Sequence, residues 1–372
     1  MRMAITTVTH LTSVHDPFDD RIFHKECKTL AKAGYDVTLI APAARDCRVD
    51  GVQIRAVPVP RNRFERILRT VPAVLREALK RRSDIYHFHD PELVGVGLVL
   101  KALRRRVVFD VHEDIPDDIT TKEWIPARIR SAVALVADRL LRVLGRSFDG
   151  IVVAMEFLGE RFPGAHLIVL RNFPDHDQLI GSANGNGHAR SNRAIYLGSI
   201  TRIRGVGEMV RAMETGALPA DARLTLAGTF DDPDLEAEVR ALPGWDRVDF
   251  VGWRSRGELA GYLGDAKVGL VVLGPIPTYK KILPTKLYEY MAAGIPVVAS
   301  DFPMWRSFVE SIGCGLVVDP EDPPAIARAV SALMTDPERA HAMGERGKLA
   351  VEKEFNWSSE SERLLTLYRT LA

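Results

Sequence analysis

The twenty residues KILPTKLYEYMAAGIPVVAS, Lys281 to Ser300, concentrate the chemistry of this chain. Pro284 stiffens the approach to a helix expected to begin near Lys286, and Thr285 stands where its hydroxyl can cap that helix. A helix N-terminus offers free backbone N–H groups and a partial positive charge, so it accepts anions, phosphate above all. Lys286 adds a formal charge. Glu289, one turn on, can accept two hydrogen bonds from a vicinal diol such as that of ribose. Phosphate at the cap and ribose on the glutamate describe a nucleoside diphosphate. The alternative is a helix with a surface glutamate and a solvated lysine, and spacing alone does not separate the two.

Other polar groups fall where strands should end. In HFHDPEL, His87 to Leu93, alternation puts His87 and His89 on one face, with His89 and Asp90 at the carboxyl end. A neutral histidine there can donate or accept a hydrogen bond. The H-x-H spacing has no third ligand nearby, so no metal site is expected. FDVHEDIPDD, Phe109 to Asp118, gathers Asp110, His112, Glu113 and Asp114, which either position hydroxyls or cap the following segment. In HDPFDDRIF, Asp19 or Asp20 caps a helix, and Arg21 points to a phosphate or to a carboxylate.

These residues need a scaffold, and the chain supplies an α/β one. Strand-like runs (Ala4 to Leu11, Asp36 to Pro42, Asp84 to Asp90, Val107 to Glu113, Gly150 to Met155, His166 to Asn172) alternate with helical patterns. In the first helical pattern, Ile22, Phe23, Cys27, Leu30 and Ala31 share a face and Gly34 closes it. Gly181 to Asn192 is Gly/Asn/Ser-rich, and after it the alternation restarts with AIYLGSI, LTLAGTF, VDFVGW, VGLVVLG, PVVAS and GLVVDP. We therefore expect two doubly wound, Rossmann-like domains, residues 1–175 and 193–354, joined by a linker over 176–192. A helix over 355–372 should pack back on the first domain. Ligands of such sheets bind outside the carboxyl ends of the strands, so two domains face to face would place these residues around a cleft.

Length and composition agree. At 372 residues two domains are the natural division, and 46% apolar residues suit a globular protein. A net charge of +1 argues against general nucleic-acid binding. The three cysteines, Cys27, Cys47 and Cys314, lack metal-ligand spacing and read as reduced thiols in a cytoplasmic setting, and the start carries no leader-like apolar run. RNRFERILRTVPAVLREALKRR, Arg61 to Arg82, holds eight Arg or Lys against two Glu, with Phe64, Ile67, Leu68, Val71, Leu75 and Leu79 at helical spacing and Pro72 interrupting. Such a helix either packs on the core with a solvated basic face or lies on anionic lipid, giving peripheral association with the inner membrane face.

TKLYEYMAAGIPVVAS resembles the donor-binding signature of the GT-B glycosyltransferases, in particular the retaining family 4, and the similarity covers nearly the whole chain. The family's second signature Glu matches Glu289 and implies ribose binding. Its first, which touches the transferred sugar, falls at Lys281, which cannot accept a hydrogen bond. The presence of PTKLYEYMAAG resembles enzymes of polysaccharide biosynthesis. YLGSITRIRGVGEMVRAM, Tyr196 to Met213, is similar to the family's first donor-domain strand, loop and helix. Gly198 matches the glycine that admits the ligand, Arg204 the basic residue that reaches the diphosphate, and Ser199 replaces a usual arginine, for which Arg202 is a substitute. VDFVGW is similar to the strand that frames the base. The resemblance implies that His89 contacts the donor sugar. It also implies a glycosyltransferase moving sugar from a UDP-, GDP- or dTDP-linked donor to a glycan, lipid-linked or small-molecule acceptor, without cofactor or metal. His89 and Lys281 are then catalytic candidates, with Gly198, Ser199, Arg202, Arg204, Thr285, Lys286 and Glu289 on the donor side. Asp20, Arg21, Asp90, His112 and Glu113 fall on the acceptor side. A nucleotide-sugar epimerase and a non-catalytic partner subunit are the alternatives, the latter favoured by Lys281.

Overall fold

The computed structural model describes residues 5–112, 114–121, 125–175 and 190–372 and divides into two units, Met1–Asn172 with Trp357–Ala372, and Phe173–Asn356. Glu113 and most of the expected linker lie outside the described residues.

The first unit holds an eight-stranded sheet in the order β3-β4-β2-β1-β5-β6-β7-β8. Its strands are β1 (Thr7–Leu11), β2 (Asp36–Pro42), β3 (Cys47–Val49), β4 (Val52–Val57), β5 (Ile85–Phe88), β6 (Arg106–Val111), β7 (Gly150–Val153) and β8 (Leu167–Val169). All neighbours pair in parallel except β3 and β4. That hairpin was missed from sequence although Asp50 and Gly51, at φ 48° and 84°, form the Asp-Gly turn that favours one. Order reverses between β1 and β5, so the crevice of this sheet opens where those strands end.

Alternation divides the core in two. Val8, Ile85 and Val108 face Ile22, Phe23, Leu30 and the apolar side of the terminal helix Trp357–Leu371. Leu11, Tyr86, Phe88, Val107 and Phe109 face the helices Val71–Arg81, Val94–Ala102 and Ala127–Gly145. The first helix is not uniformly α: Asp20–Cys27 is a wide π-type coil that runs into Lys28–Lys32, with Asp19 as its cap. Pro72 sits at the start of Val71–Arg81, after a π-type turn over Arg66–Thr70, where its missing N–H is tolerated.

The second unit holds a parallel six-stranded sheet, order β11-β10-β9-β12-β13-β14. Its strands are β9 (Ser191–Leu197), β10 (Arg223–Ala227), β11 (Val248–Gly252), β12 (Ala266–Val271), β13 (Val297–Ser300) and β14 (Gly315–Val318). Here the order reverses between β9 and β12. No helix among the described residues is long and apolar enough to cross a membrane.

Candidate functional site

In the second unit the helix Thr285–Ala292 buries Leu287, Tyr290 and Met291. Tyr290 fits because Gly269 of β12 lacks a side chain; a Cβ there would lie 2.4 Å from the ring. The Tyr290 hydroxyl accepts the Leu197 N–H at 2.9 Å, which ties the helix to the end of β9. Gly198 follows at φ +114°, open to solvent, and a Cβ on it would lie 3.4 Å from Lys286 Nζ and 3.6 Å from an Arg204 nitrogen. The glycine therefore leaves bare backbone between two cations. Gly205, at φ +70°, packs against the loop after β12, where a Cβ would fall 2.3 Å from the Val272 carbonyl oxygen. Trp305 Nε1 donates to the Ile282 carbonyl at 2.6 Å and fixes the approach to Pro284.

Lys286 Nζ is the unusual atom of this edge. It is buried, has no hydrogen-bond partner among the described residues, and lies 3.8 Å from the centre of the Tyr196 ring. Burial pulls its ammonium down to about 7, Arg204 pushes the same way and Glu289 opposes. Arg204 donates to the Ser199 carbonyl at 3.2 Å. Glu289 is half-buried one turn further along.

Two donor-side expectations need correction. Thr285 is the first helical residue rather than the cap; Pro284 holds that place and no side chain caps the helix. Arg202 turns away from Gly198 into an exposed ion pair with Glu238, at 2.6 Å. Lys281 lies exposed at the end of the short helix Pro277–Lys281.

At the carboxyl edge of the first sheet the groups engage one another. Arg21 is buried, donates Nε and Nη2 to the two oxygens of Asp110 at 2.8 Å each, and gives Nη1 to the Leu170 carbonyl at 2.8 Å. It points to a carboxylate, and no nitrogen is left over for phosphate. Asp20 pairs with Lys25 at 2.8 Å and Lys25 reaches Asn172 Oδ1 at 2.6 Å, so Asp20 braces this unit. Asp90 is buried and accepts from Thr12 Oγ1 at 3.0 Å and Ser13 Oγ at 3.1 Å, tying down the segment after β1.

His89 corrects a larger expectation. Its side chain is fully buried, with Nδ1 3.0 Å from Asp110 Oδ2 and Nε2 3.0 Å from His10 Nδ1. Both nitrogens are consumed inside the protein, so neither is presented to a sugar. His87 is also buried, 2.9 Å from the Tyr368 hydroxyl. The imidazoles that reach the surface here are His15 and His112, with rings 5.2 Å apart and side chains 26% and 19% exposed. His112 Nδ1 lies 3.6 Å from Asp110 Oδ2. Sequence reading passed over His10, Glu26 and Tyr368. The signal available was a histidine within the apolar strand run VTHL on the face shared with Val8. Among the described residues, two groups bring enough nitrogen and oxygen together to hold a cation, His10/Glu26/His87/His89 and His89/Asp110/His112.

Residues 183–350 match the family described as "Glycosyl transferases group 1", and residues 21–167 match "Glycosyl transferase 4-like domain". The chain is a glycosyltransferase, built from a 4-like domain and a group 1 domain. Relatives of this glycosyltransferase include the phosphatidyl-myo-inositol mannosyltransferase of Mycolicibacterium smegmatis, 23% identical, the match covering 93% of this chain and 88% of that one. The alpha-D-kanosaminyltransferase of Streptomyces kanamyceticus is 28% identical over 48% of this chain and 45% of that one. Among solved structures, sucrose-phosphate synthase from Thermosynechococcus elongatus superposes with a TM-score of 0.75 at 22% identity, covering 98% and 99% of the two chains. Anabaena HepE in complex with UDP-glucose superposes at 0.72 with 14% identity, covering 98% and 99%. The fold of the glycosyltransferase is therefore GT-B, built from two parallel-sheet, Rossmann-like units.

Proposed function

We propose that the enzyme binds its nucleoside-diphosphate sugar at the carboxyl edge of the second sheet. The diphosphate lies over Gly198, against Lys286, Arg204 and the N-terminus of the helix Thr285–Ala292, and the ribose rests on Glu289. One observation carries this reading: a lysine ammonium buried beside exposed glycine backbone with no hydrogen-bond partner among the described residues. Burying a cation unpaired is costly, and an anion bound there would relieve the cost.

In the reaction the bond from the anomeric carbon to the diphosphate breaks and one to the acceptor hydroxyl oxygen forms. The acceptor proton leaves with the departing diphosphate, on the same face, so configuration is retained. Lys286 and Arg204 stabilise the charge that develops on the leaving group, and transfer proceeds without a metal. His112, with His15 beside it, is the acceptor-side group of the first unit, since His89 has no free nitrogen.

The first test is a thermal-shift and calorimetry panel with UDP, GDP, dTDP, CDP and ADP, run on the wild type and on Glu289→Ala. Binding of one diphosphate, weakened at least tenfold in the variant, is expected. A folded protein that binds none of the five would overturn the donor site.

The acceptor is membrane-borne in this reading and the enzyme associates peripherally with anionic lipid. Phe64, Ile67 and Leu68 are 80%, 49% and 76% exposed beside Arg61, Arg63 and Arg69. On the helix Ala127–Gly145, Ile129, Val133, Val136, Leu140 and Val143 form an exposed apolar stripe among arginines. Co-sedimentation with vesicles containing anionic lipid, and not with purely zwitterionic vesicles, is the expected result. Equal recovery in the supernatant with both would remove this part of the proposal.

A further inference from the structure

Toward the carboxyl edge of the first sheet, the face under the terminal helix changes from apolar to polar. Val8, Ile85 and Val108 give way to His10, His87 and Asp110 two residues on in each strand, with His89 beyond. All four polar residues are buried, so their hydrogen bonds must balance internally. The proton positions follow from one fixed end. Asp110 takes two hydrogen bonds from Arg21 and is an acceptor only. Burial works against its charge, but Arg21, His112 and His89 together hold its carboxyl well below the usual carboxylate range.

His89 Nδ1, 3.0 Å from Asp110 Oδ2, therefore carries hydrogen. A neutral His89 then has a bare Nε2, which must accept from His10 Nδ1 at 3.0 Å. That leaves His10 Nε2 bare, 3.3 Å from the Tyr368 hydroxyl, which donates to it. The Tyr368 oxygen in turn accepts from His87 Nδ1 at 2.9 Å, and His87 Nε2 ends the series without a partner among the described residues. Burial lowers all three imidazoles and keeps them neutral, as the series requires. Glu26 stands beside it with both oxygens buried and accepting no hydrogen bond from the described residues. Its Oε1 is 3.1 Å from Arg21 Nε, which is already given to Asp110, and its Oε2 is 3.9 Å and 3.6 Å from His10 and His87. Burial and the Asp110 charge push the Glu26 carboxyl well up, against Arg21.

We infer that Tyr368, His10 and His89 form a one-way chain of hydrogen bonds ending on Asp110, and that through it Tyr368 is a positioning residue for His112 in sugar transfer. Asp110 Oδ2 is the atom on which Arg21, His89 and His112 converge. His112 Nδ1 is buried 3.6 Å from that oxygen, beyond hydrogen-bond length, and the charge there draws Nδ1–H inward and leaves Nε2 outward, to accept from a sugar hydroxyl other than the one that reacts. This role rests on the transfer reaction proposed above; the hydrogen-bond chain does not.

The test uses the full chain labelled with 15N-histidine. Two-bond proton–nitrogen spectra at pH 7, assigned with His10→Gln and His87→Gln, should find His10, His87 and His89 neutral with hydrogen on Nδ1. An imidazolium or an Nε2–H tautomer at His10 or His89 would overturn the chain. So would metal-shifted resonances abolished by a chelator, because the bare nitrogens would then be ligands. Tyr368→Phe keeps the ring and removes the donor. It should change the His10 and His89 signals and lower kcat about tenfold, with the donor KM within about twofold. Leu364→Ala, on the same helix, should lower Tm without altering those signals. Changed signals with unchanged kcat in Tyr368→Phe would overturn the positioning role. A wild type that transfers no sugar would overturn the proposed reaction and that role with it, while the spectra alone still decide the chain.

Discussion

The carboxyl edge of the first sheet is saturated, while that of the second is not. Arg21 commits three nitrogens to Asp110 and Leu170, and Asp110 takes His89 as well. Lys286 Nζ, at the matching edge of the second sheet, is buried beside a bare glycine with no hydrogen-bond partner among the described residues. Both places hold a buried cation, but in the first a carboxylate accepts its hydrogen bonds, whereas in the second Glu289 acts on the ammonium without accepting one from it. A saturated edge presents a fixed shape. An unsatisfied one has met the desolvation cost of its cation during folding, so an incoming anion gains nearly the whole interaction.

Removing each cation should therefore have opposite consequences. Arg21→Met strands the Asp110 carboxylate in the core. It should cost about 3–5 kcal/mol of unfolding free energy, read from urea titrations, because one partner of a buried pair is lost. A loss below about 1 kcal/mol would mean that Asp110 does not depend on Arg21. Lys286→Met should leave stability unchanged or higher, yet weaken nucleoside-diphosphate binding about 10- to 100-fold, the worth of a charged hydrogen bond. Destabilisation by Lys286→Met would place its partner inside the protein and erase the contrast.

The pH dependence sharpens the same point. The Lys286 ammonium is pulled down to about 7 in the fold, against about 10.4 in an unfolded chain. Between those values the unfolded chain holds the extra proton, so this group's contribution to stability rises with pH across that window. Below 7 its cost is fully present. The stability advantage of Lys286→Met over the wild type should thus be largest below pH 7 and fade as pH climbs toward 10. Diphosphate binding at pH 8 should take up close to one proton in the wild type and none in the variant, measured by calorimetry in buffers of different ionisation enthalpy. The smallest effect is expected for Arg202→Ala: less than about twofold in donor affinity and an unchanged unfolding midpoint, since its ion pair with Glu238 is exposed.

What could be read in advance followed from proximity in sequence. The fold class was legible because βα alternation is a local pattern repeated along the chain. The stretch from Pro284 to Glu289 was legible because one short helix carries both its cation and its carboxylate. Even there, the sequence points to Thr285 for the capping place that Pro284 occupies, since the boundary turns on one residue's backbone angles. Arg202 and Arg204, two residues apart, could not be ranked until the turn sent one to Glu238 and the other to Ser199. His89 was misplaced for a different reason. Standing at a strand end gives a residue an address but not its exposure, and here the segment after β1 is drawn in by Asp90. The rest of the first edge joins positions 10, 26, 89, 110 and 368, whose adjacency exists only once β1, β5, β6 and the terminal helix are assembled.

The last sixteen residues, Trp357–Ala372, belong to the unit that begins the chain. Leu364, Leu367 and Leu371 complete its apolar layer, Trp357 Nε1 donates to Thr29 Oγ1 at 2.9 Å, and Glu360 receives the Arg171 backbone N–H at 2.8 Å. During synthesis, the first half must therefore wait. Its strands leave the ribosome early, but one side of its sheet is covered only in part, by Ile22, Phe23 and Leu30, until the final helix is made. The second unit, continuous in sequence, has all its own residues by then. Order of translation and order of completion are thus reversed, and a nascent chain stalled before Trp357 should offer chaperones and proteases its beginning, not its end.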